Sequence, residues 1–559
     1  MKHVYLIVCV SISIAVASIV YGIFYVPADQ YSHWNLDHGS SVNCIGTNNN
    51  NRKCYFRNIC FHPNSSKYLF LHGTKTTIQG FHPNDRNNPA LVDLSSVSDH
   101  NLQYFHYTDI LAEAVNKDNL GKILFYEDPK LLFNRFNPDN LMHVFHDDLL
   151  PLYFTMLREC RGNVENCINK PGMIFNERRT PGEYHFLYQM ITESQTFVQD
   201  LSHDYLHCFK SVIVGLDKHP TWYQYGFKTP QGPLNKNIKP TGYEIRLFTN
   251  FVQHKLEISL KKSSDFILII CRKSNRRILN VGELSESIKV ILNKEVYIVS
   301  IEDLGVLEVL KLVCEASILI SVHGSALILS LFLRPWSIII EVFPYGIRAE
   351  HYTPYKTLAN IKNMNLLYYS WENIHRNKTV THPNWPKEFG GLQHLPNSVK
   401  DKIIDSFEVP LHLCCDNPEW LHRIYQDTFV DQISFIELLN KAWSNRLNHM
   451  SSYKNIDFTP RCGEVDQIYC NETIMGNGIL ICAWWGLPFN FRYLNTSSGV
   501  MFEIWIQVVG QTHTHAYFVK DTHYCFGPYN KEIQIFIWVR CILDNTSGPF
   551  SSKPMLCPI

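Results

Sequence analysis

The chain between residues 265 and 343 alternates continuous apolar runs with amphipathic segments. Short apolar runs without polar interruption are typical of strands buried on both faces. Four such runs predict strands: Phe266–Cys271, Val296–Ser300, Ser317–Ser321 and Ile338–Phe343. The segments between them predict helices over 280–293, with Asn280 and Glu283 as a capping box, over 302–316 and over 324–333. This alternation predicts a doubly wound parallel sheet, and therefore an α/β fold.

The last hundred residues follow a two-residue period instead. Residues 502–507 and 533–540 alternate apolar and polar side chains, as strands with one buried face do. Short strands over this length predict an all-β sandwich in residues 462–559. The positions of Trp485 and Phe536 and the turn at Gly548 resemble a fibronectin type III module.

Residues 397–448 have a helical pattern that predicts helices packing back on the α/β region. Asn417 before Pro418 is a strong N-cap signal. The apolar stripe predicted for the last helix consists of Ile433, Ile436, Leu439 and Trp443. Residues 449–461 read as a linker to the sandwich.

The N-terminus predicts a membrane anchor. The run from Val4 to Val26 has no charge and is long enough to cross a bilayer core of about 30 Å. Lys2 before it and Asp29 after it place residues 1–3 in the cytosol and the rest in the lumen, with 27–43 as a stem. A cleaved signal peptide, with Ala15-Val16-Ala17 as the cleavage site, is the alternative. Both interpretations place most of the chain in the secretory pathway.

Cysteines and sequons agree with a luminal location. The chain has 17 Cys, which in an oxidising compartment are expected to form mostly disulfides. Five Asn-x-Ser/Thr triplets predict N-glycosylation, at Asn64, Asn377, Asn471, Asn495 and Asn545.

Composition and charge exclude two classes of protein. Apolar residues make up 45% of the 559 residues and charged residues only 18%, which excludes a disordered chain. The 51 basic and 51 acidic residues give a formal net charge of zero. A protein that binds nucleic acid through bulk positive charge is therefore not expected.

Ligands of doubly wound sheets bind beyond the carboxyl ends of the strands. The residues at those ends are Arg272, Asn275, Arg276, His323, Gly324 and Glu341, and we expect them to line one crevice. Glycine at the end of a strand lets a ligand approach the backbone, and the following helix offers free N–H groups to a phosphate. A solvated basic turn and an ordinary His-Gly turn are the simpler alternatives.

The second candidate segment is unusually rich in acid–base side chains. Pro138 is expected to open a helix capped by Asn137, which places Asn140, His143 and Asp147 on one face. His146 lies beside them, and Asp148 follows. These side chains offer candidates for a general base. The alternatives are surface charge, a structural His–Asp pair, or a divalent metal site.

A nucleotide-type crevice in a luminal protein indicates a glycosyltransferase that uses a sugar nucleotide. The departing diphosphate gains charge in the transition state, which a metal or fixed cations must neutralise. Arg272 and Arg276, with the helix start after Gly324, favour the second solution. We therefore expect no metal cofactor.

Several stretches together resemble glycosyltransferase family 61. They run from the N-terminal part of the chain to its end and comprise residues 99–105, 135–151, 221–227, 322–324, 341–345, 351–359, 417–421 and 537–541. The resemblance implies a GT-B fold, with residues 44–260 and 261–396 as its two Rossmann-like halves. It implies an inverting transfer of GlcNAc from UDP-GlcNAc to the 4-hydroxyl of O-linked mannose on an acceptor like α-dystroglycan. It further implies a type II membrane protein of the endoplasmic reticulum, and a homodimer in which the fibronectin module helps to present the acceptor.

The resemblance also assigns residues. It implies that UDP-GlcNAc lies against Asn140, Arg272, Asn275, Arg276, His323, Gly324 and Glu341. Acceptor-side chemistry is implied at Asn140, His143, His146 and Asp147, with the last three as catalytic residues. This chain departs from the family pattern at Ser325-Ala326 and at Trp336, which affects the sugar contacts there. A sister interpretation is an O-GlcNAc transferase that acts on EGF repeats, and a different class is an adhesion protein.

Overall fold

The computed structural model describes residues 38–557, except 83–84, 87, 98–103, 118–121, 161–163, 166, 168, 226–229, 235–239, 260–264, 414–415, 453–461, 476–477, 489, 492–493, 495–498, 530–532, 545 and 552. The predicted cytosolic tail, the anchor, most of the stem and linker, and the sequons Asn495 and Asn545 lie outside these residues. None of the described helices is long and apolar enough to cross a membrane.

The first unit is built on a ten-stranded mixed sheet. Its first strand begins at Ser41, inside the predicted stem, because residues 41–45 pair with the strand that follows. The strands up to residue 233 are β1 (Ser41–Ile45), β2 (Lys53–His62), β3 (Lys67–His72), β4 (Thr77–Gln79), β5 (Val92–Asp93), β6 (Tyr104–Phe105), β7 (Tyr107–Leu111), β8 (Lys122–Tyr126), β9 (Lys130–Phe133), β10 (Gly172–Phe175), β11 (Gln195–Phe197), β12 (Tyr205–Val214), β13 (Tyr223–Gln224) and β14 (Gly232–Pro233). The central path runs β11-β10-β9-β12-β2-β1-β4, and its β11-β10-β9-β12 part is parallel.

Helices cover this sheet and connect it to the next unit. They are α1 (Ala112–Lys117), a π-helical segment (His143–Leu149) that continues into α2 (Leu150–Glu159), α3 (His185–Gln189), a 3₁₀ turn (Val198–Asp200) and α4 (Gly242–Lys255). Thr241 and Glu244 form a capping box at the start of α4.

The second unit is a five-stranded parallel sheet, and the four strands predicted from the apolar runs are all present. Its strands are β15 (Ile267–Cys271), β16 (Val296–Ser300), β17 (Ile318–Val322), β18 (Ile338–Phe343) and β19 (Leu367–Glu372), in the spatial order β16-β15-β17-β18-β19. Its helices are α5 (Val281–Leu292), α6 (Ile301–Glu315), a 3₁₀ segment (Ser325–Phe332) and α7 (Pro354–Ala359). Strand order reverses between β15 and β17, which is where ligands of such sheets bind.

The predicted capping box at the start of α5 is wrong. The Asn280 side chain makes no capping bond and instead exchanges hydrogen bonds of 2.8 and 2.9 Å with the backbone of Val430. A distant segment thus competes successfully for the polar groups that a local cap would use. At α6 the cap is regular, because Ser300 accepts a hydrogen bond from the backbone of Asp303.

Three further helices are present where the helical pattern predicted them, and the last of them packs against this sheet. They are α8 (Asn397–Asp405), α9 (Pro418–Ile424) and α10 (Gln432–Ser452), and a small ladder joins β20 (Thr379–Val380) to β21 (Asp427–Thr428). Asn417 caps α9 as predicted. The apolar stripe of α10 is shifted from the prediction: Ile433 is 76% exposed, whereas Phe435, Leu439 and Ala442 are buried against the sheet.

The C-terminal unit is a sandwich of two small antiparallel sheets. Its strands are β22 (Asp466–Met475), β23 (Gly478–Gly486), β24 (Val500–Val508), β25 (Thr514–Val519), β26 (His523–Tyr529), β27 (Ile535–Leu543), β28 (Thr546–Ser547) and β29 (Met555–Cys557). Trp485, Ile504 and Ile537 lie in the core between the sheets. The Asn490 side chain donates to Glu244 at 2.6 Å and so connects the sandwich to the start of α4.

Six disulfides join described cysteines, so most of the described cysteines are paired, as predicted. They are Cys44–Cys54, Cys60–Cys208, Cys160–Cys167, Cys462–Cys541, Cys470–Cys557 and Cys482–Cys525. Cys271 and Cys314 are free thiols.

Candidate active site

The acid–base segment is a π-helix and begins later than predicted. The carbonyl of Asn137 accepts the backbone N–H of Asn140 at 3.1 Å, so residues 137–140 form a turn rather than a first helical turn. The side chain of Asn140 accepts the N–H of Met142 at 3.0 Å and caps the helix that follows. Asn140 therefore acts in the structure as a cap. Single π-helical turns are rare and occur often at functional sites.

The carboxylate of Asp147 joins two histidines. Its Oδ2 lies 2.7 Å from His143 Nδ1, and its Oδ1 lies 2.6 Å from His146 Nδ1. Asp147 is only 1% exposed. Burial alone would raise the pKa of Asp147, but His146 and His143, which donate to the carboxylate, bring it down to about 2. Asp147 is therefore an anion that is fully engaged by its neighbours.

Asp148 has the opposite character although it is the next residue. Its carboxyl accepts the Tyr188 hydroxyl at 2.6 Å and is buried. Burial raises the pKa of Asp148 well above its ordinary value. The surroundings of these two adjacent carboxyl groups thus shift their pKa values in opposite directions.

His146 is sealed inside the protein. Its Nε2 accepts the backbone N–H of Trp222 at 3.0 Å, which places the imidazole proton on Nδ1, facing Asp147. No part of the side chain is exposed. His146 therefore cannot contact a substrate, although the sequence placed it among the catalytic candidates.

His143 is the member of this cluster that reaches the solvent. Its side chain is 12% exposed, against 2% for Asp147. The ring lies between Phe136 and Tyr225, with centroid distances of 4.6 Å to each. Asp147 occupies Nδ1, and within the described part of the chain Nε2 has no hydrogen-bond partner. This nitrogen is placed to take a proton from a substrate.

The second group of candidates lies at the switch point of the five-stranded sheet. Arg272, Asn275 and Arg276 form the loop after β15, and Gly324 follows β17. A Cβ atom on Gly324 would lie 3.0 Å from Arg276 Nη1 and 3.8 Å from Arg272 Nη1, so both guanidinium groups lie over this glycine. Arg276 has a left-handed backbone (φ 53°), which is rare for a residue with a side chain.

Three buried polar atoms of this loop have no hydrogen-bond partner among the described residues. They are the Nε atoms of Arg272 and Arg276 and the Oδ1 atom of Asn275. Buried polar groups without a partner are rare in proteins, and a ligand can satisfy them. Loss of water around Arg276, and then the charge of Arg272, lower the pKa of Arg276 to about 10. Two guanidinium groups this close together favour an anionic ligand.

His323 and Glu341 form a second histidine–carboxylate pair. His323 Nδ1 lies 2.6 Å from Glu341 Oε1, and the Tyr368 hydroxyl donates to Glu341 Oε2 at 2.7 Å. Glu341 is fully buried, so it orients His323 rather than meeting a ligand itself. The carbonyl oxygen of His323 accepts from Arg276 at 3.2 Å.

A chain of tyrosine contacts connects the two groups of candidates. The ring of Tyr225 contacts His143, and its centroid lies 5.8 Å from that of Tyr223. The Tyr223 hydroxyl accepts the N–H of Thr353, two residues from Tyr355. The Tyr355 hydroxyl donates to the carbonyl of Gly324 at 2.6 Å. Sequence reasoning assigned no role to these tyrosines, although all three lie in the stretches 221–227 and 351–359 that carry the family resemblance.

Three predicted glycosylation sites lie on the described surface. Asn64, Asn377 and Asn471 are exposed, and the Asn64 side chain is also hydrogen bonded to residue His203. No group of three or more His, Cys, Asp and Glu side chains suited to a metal ion occurs among the described residues.

A separate cavity of about 990 Å³ lies between the sandwich and the α/β units. It is lined by residues from all three units, among them Trp222, Tyr243, Lys362 and Asp466. Trp222, whose backbone N–H donates to His146, borders both this cavity and the acid–base cluster.

Comparison with known proteins identifies the class of enzyme. The family model described as Glycosyltransferase 61 matches residues 142–340, a range that begins just before His143 and includes Arg272, Arg276 and His323. The chain belongs to the glycosyltransferase 61 family and is therefore a sugar-transferring enzyme.

Several relatives that share one protein name are similar to this chain over nearly its whole length. The chain is 38% identical over 521 residues to the protein O-linked-mannose beta-1,4-N-acetylglucosaminyltransferase 2 of Canis lupus familiaris, covering 92% of this chain and 88% of the relative. It is 37% identical over 524 residues to the protein of that name from Homo sapiens, with coverage of 92% and 88%. The Tetraodon nigroviridis protein is 36% identical over 527 residues, with coverage of 93% and 89%.

Among solved structures, the FN5 domain of Drosophila Lar is similar to 17% of this chain over 92% of its own length, at 13% identity. The TM-score is 0.13, which is too low to support an argument about the fold.

Proposed function

We propose that the chain transfers GlcNAc from UDP-GlcNAc to the 4-hydroxyl of an O-linked mannose, with inversion, as the names of its relatives suggest. One observation carries this proposal. A chain of contacts through tyrosines connects His143, whose Nε2 has no hydrogen-bond partner among the described residues, to Arg272 and Arg276, whose Nε atoms are buried and unsatisfied there. The first group suits an acceptor hydroxyl and the second suits a diphosphate.

On the acceptor side, His143 is the general base. Its Nε2 takes the proton from the mannose O4 while that oxygen forms a bond to C1 of GlcNAc and the bond from C1 to the diphosphate oxygen breaks. Asp147 holds the Nδ1 proton and stabilises the imidazolium that forms. We therefore assign the role of general base to His143. Asp147 is its hydrogen-bond partner, and His146 is a second donor to Asp147.

On the donor side, fixed cations bind the diphosphate. Arg272 and Arg276 offer fork-like donors, and His323 Nε2 is available because Glu341 occupies Nδ1. These groups stabilise the charge that develops on the leaving UDP. We infer that the reaction needs no added metal ion, which makes activity in the presence of EDTA the expected result.

The architecture supports a GT-B enzyme followed by a fibronectin type III module. Two units with parallel strands flank the crevice, and the C-terminal unit is a two-sheet sandwich of about the size of such modules. The cavity beside Trp222 supports a role for the sandwich in presenting an acceptor. We further propose a homodimer, anchored as a type II protein in the endoplasmic reticulum membrane by residues 4–26, that acts on a glycoprotein such as α-dystroglycan.

The test is a transfer assay with the full-length protein in detergent. UDP-GlcNAc is offered together with an O-mannosyl peptide, the same peptide without mannose, or an EGF repeat, each with and without EDTA. The expected product is GlcNAc linked β-1,4 to mannose on the first acceptor alone, in equal amount with EDTA, as determined by mass spectrometry and NMR. Transfer to the EGF repeat instead would favour the sister activity, and no transfer to any acceptor would refute the proposal.

A further inference from the structure

We propose that His146 and Tyr225 are positioning residues that set the basicity of His143 through the carboxylate they share, Asp147. The inference rests on the proposed role of His143 as the base. It concerns two side chains that the reaction itself does not touch.

The first step of the argument is the fixed tautomer of His146. The backbone N–H of Trp222 can donate only to an unprotonated Nε2, so the His146 proton must lie on Nδ1. That proton points at Asp147 Oδ1, 2.6 Å away. A main-chain group of another segment thus makes His146 a permanent donor to the carboxylate.

The second step is the crowding of donors on one carboxylate. Asp147 receives Nδ1–H groups from His143 and His146 and a hydroxyl from Tyr225. The Tyr225 oxygen also lies 3.1 Å from His146 Nδ1. A carboxylate that accepts hydrogen bonds from three donors interacts more weakly with each of them than a carboxylate with a single donor.

The third step is the effect on His143. Asp147 is the anionic partner of this ring, and Phe136 and Tyr225 are its other neighbours. Nearby Asp148 is turned toward Tyr188, and Arg135 interacts with Asp148 electrostatically. When a substitution removes the hydrogen-bond donor of His146 or of Tyr225, more of the Asp147 charge acts on His143. This charge stabilises the His143 imidazolium. The base then stays protonated to a higher pH.

Two nearly isosteric substitutions separate this role from a merely structural one. The amide nitrogen of Asn in His146→Asn lies near the position of Nδ1, so the donor to Asp147 is kept and the acceptor for Trp222 is lost. The amide of Gln in His146→Gln lies near the position of Nε2, so the acceptor is kept and the donor to Asp147 is lost. Both variants remain neutral and similar in size.

We expect the acid limb of the kcat–pH profile to move upward by about 0.5 to 1 pH unit in His146→Gln, and to stay near its wild-type position in His146→Asn. Turnover should fall about tenfold in His146→Gln, with the KM for UDP-GlcNAc unchanged. Tyr225→Phe, which removes one donor without changing the ring, should move the limb in the same direction by a smaller amount. His254→Gln, on the exposed surface of α4, is the matched control and should change nothing.

A second measurement does not depend on activity. Diethyl pyrocarbonate modifies neutral imidazole, so the pH dependence of His143 modification, followed by mass spectrometry, reports its titration directly. Equal midpoints in wild type, His146→Gln and Tyr225→Phe would overturn the inference, as would equal shifts in both His146 variants. If His146→Gln does not fold, the Tyr225→Phe midpoint decides. If the wild-type protein transfers no GlcNAc but the midpoint of His143 modification still shifts in His146→Gln, the proposed function is refuted, whereas the coupling of His146 to His143 is supported.

Discussion

The two α/β units each present a histidine held by a buried carboxylate, and the pairs are alike in geometry. His143 lies 2.7 Å from Asp147 and His323 lies 2.6 Å from Glu341. The two histidine side chains are 12% and 13% exposed. In both pairs the carboxylate occupies Nδ1, and Nε2 has no hydrogen-bond partner among the described residues.

Their surroundings differ and assign them different tasks. His323 lies beside Gly324, over which the guanidinium groups of Arg272 and Arg276 converge, so its neighbourhood favours an anion. His143 has aromatic neighbours, and its carboxylate is shared with His146 and Tyr225. We therefore propose that the same arrangement of side chains serves a leaving diphosphate in one unit and an acceptor hydroxyl in the other, because the charges around each histidine determine which charge it stabilises.

Replacing each histidine by alanine is expected to give the largest effects and tests whether the two histidines have different roles. His143→Ala should lower kcat by about 10² to 10⁴-fold, the usual contribution of a general base, and leave UDP affinity unchanged. His323→Ala should instead weaken UDP binding. Steady-state kinetics together with calorimetric titration of UDP measure both effects. If the two variants lose the same parameter, the division of roles is wrong.

Removing a guanidinium tests the donor side alone. Arg272→Ala should weaken UDP binding by about 10 to 150-fold, because a charge-assisted hydrogen bond contributes about 1.5 to 3 kcal/mol. Arg272→Lys keeps the charge but loses the fork and should recover part of the affinity. Calorimetry with UDP provides the measurement, and wild-type affinity in Arg272→Ala would remove this residue from the site.

The smallest expected effect comes from a single methyl group on the donor side. In Gly324→Ala the new Cβ would lie 3.0 Å from Arg276 Nη1, so the guanidinium must move by a few tenths of an ångström. We expect UDP affinity to fall about threefold to tenfold while the melting temperature stays unchanged. Gly282→Ala is the matched control, since a Cβ there meets nothing within 4 Å. Equal affinity in both variants would show that Arg276 does not depend on this glycine.

The sequence predicted the strands of the five-stranded sheet that are marked by apolar runs in the chain itself. The strands β15, β17 and β18 are apolar runs that lie buried inside the sheet, and their polar ends follow directly in the chain. The edge strand β16 is partly exposed but was still predicted, because its sequence Val-Tyr-Ile-Val-Ser is almost entirely apolar. β19 was not predicted, because its sequence Leu-Tyr-Tyr-Ser-Trp-Glu is only partly buried at the sheet edge and has no continuous apolar pattern. The capping box at Asn280 failed for a related reason: a partner 150 residues away took the side chain.

The sequence by itself determined which residues are candidates for the site: the arginines and glycine at the strand ends, and the cluster of His143, His146 and Asp147. It could not order that cluster, because i and i+4 spacing places side chains on a helix face without showing which of them reaches solvent. The tertiary structure decided this. The backbone of Trp222, 76 residues from His146, occupies its Nε2, and the π-helix brings both histidines to one carboxylate. Burial and hydrogen bonding between distant segments, rather than residue type, leave His143 as the most exposed side chain of the three.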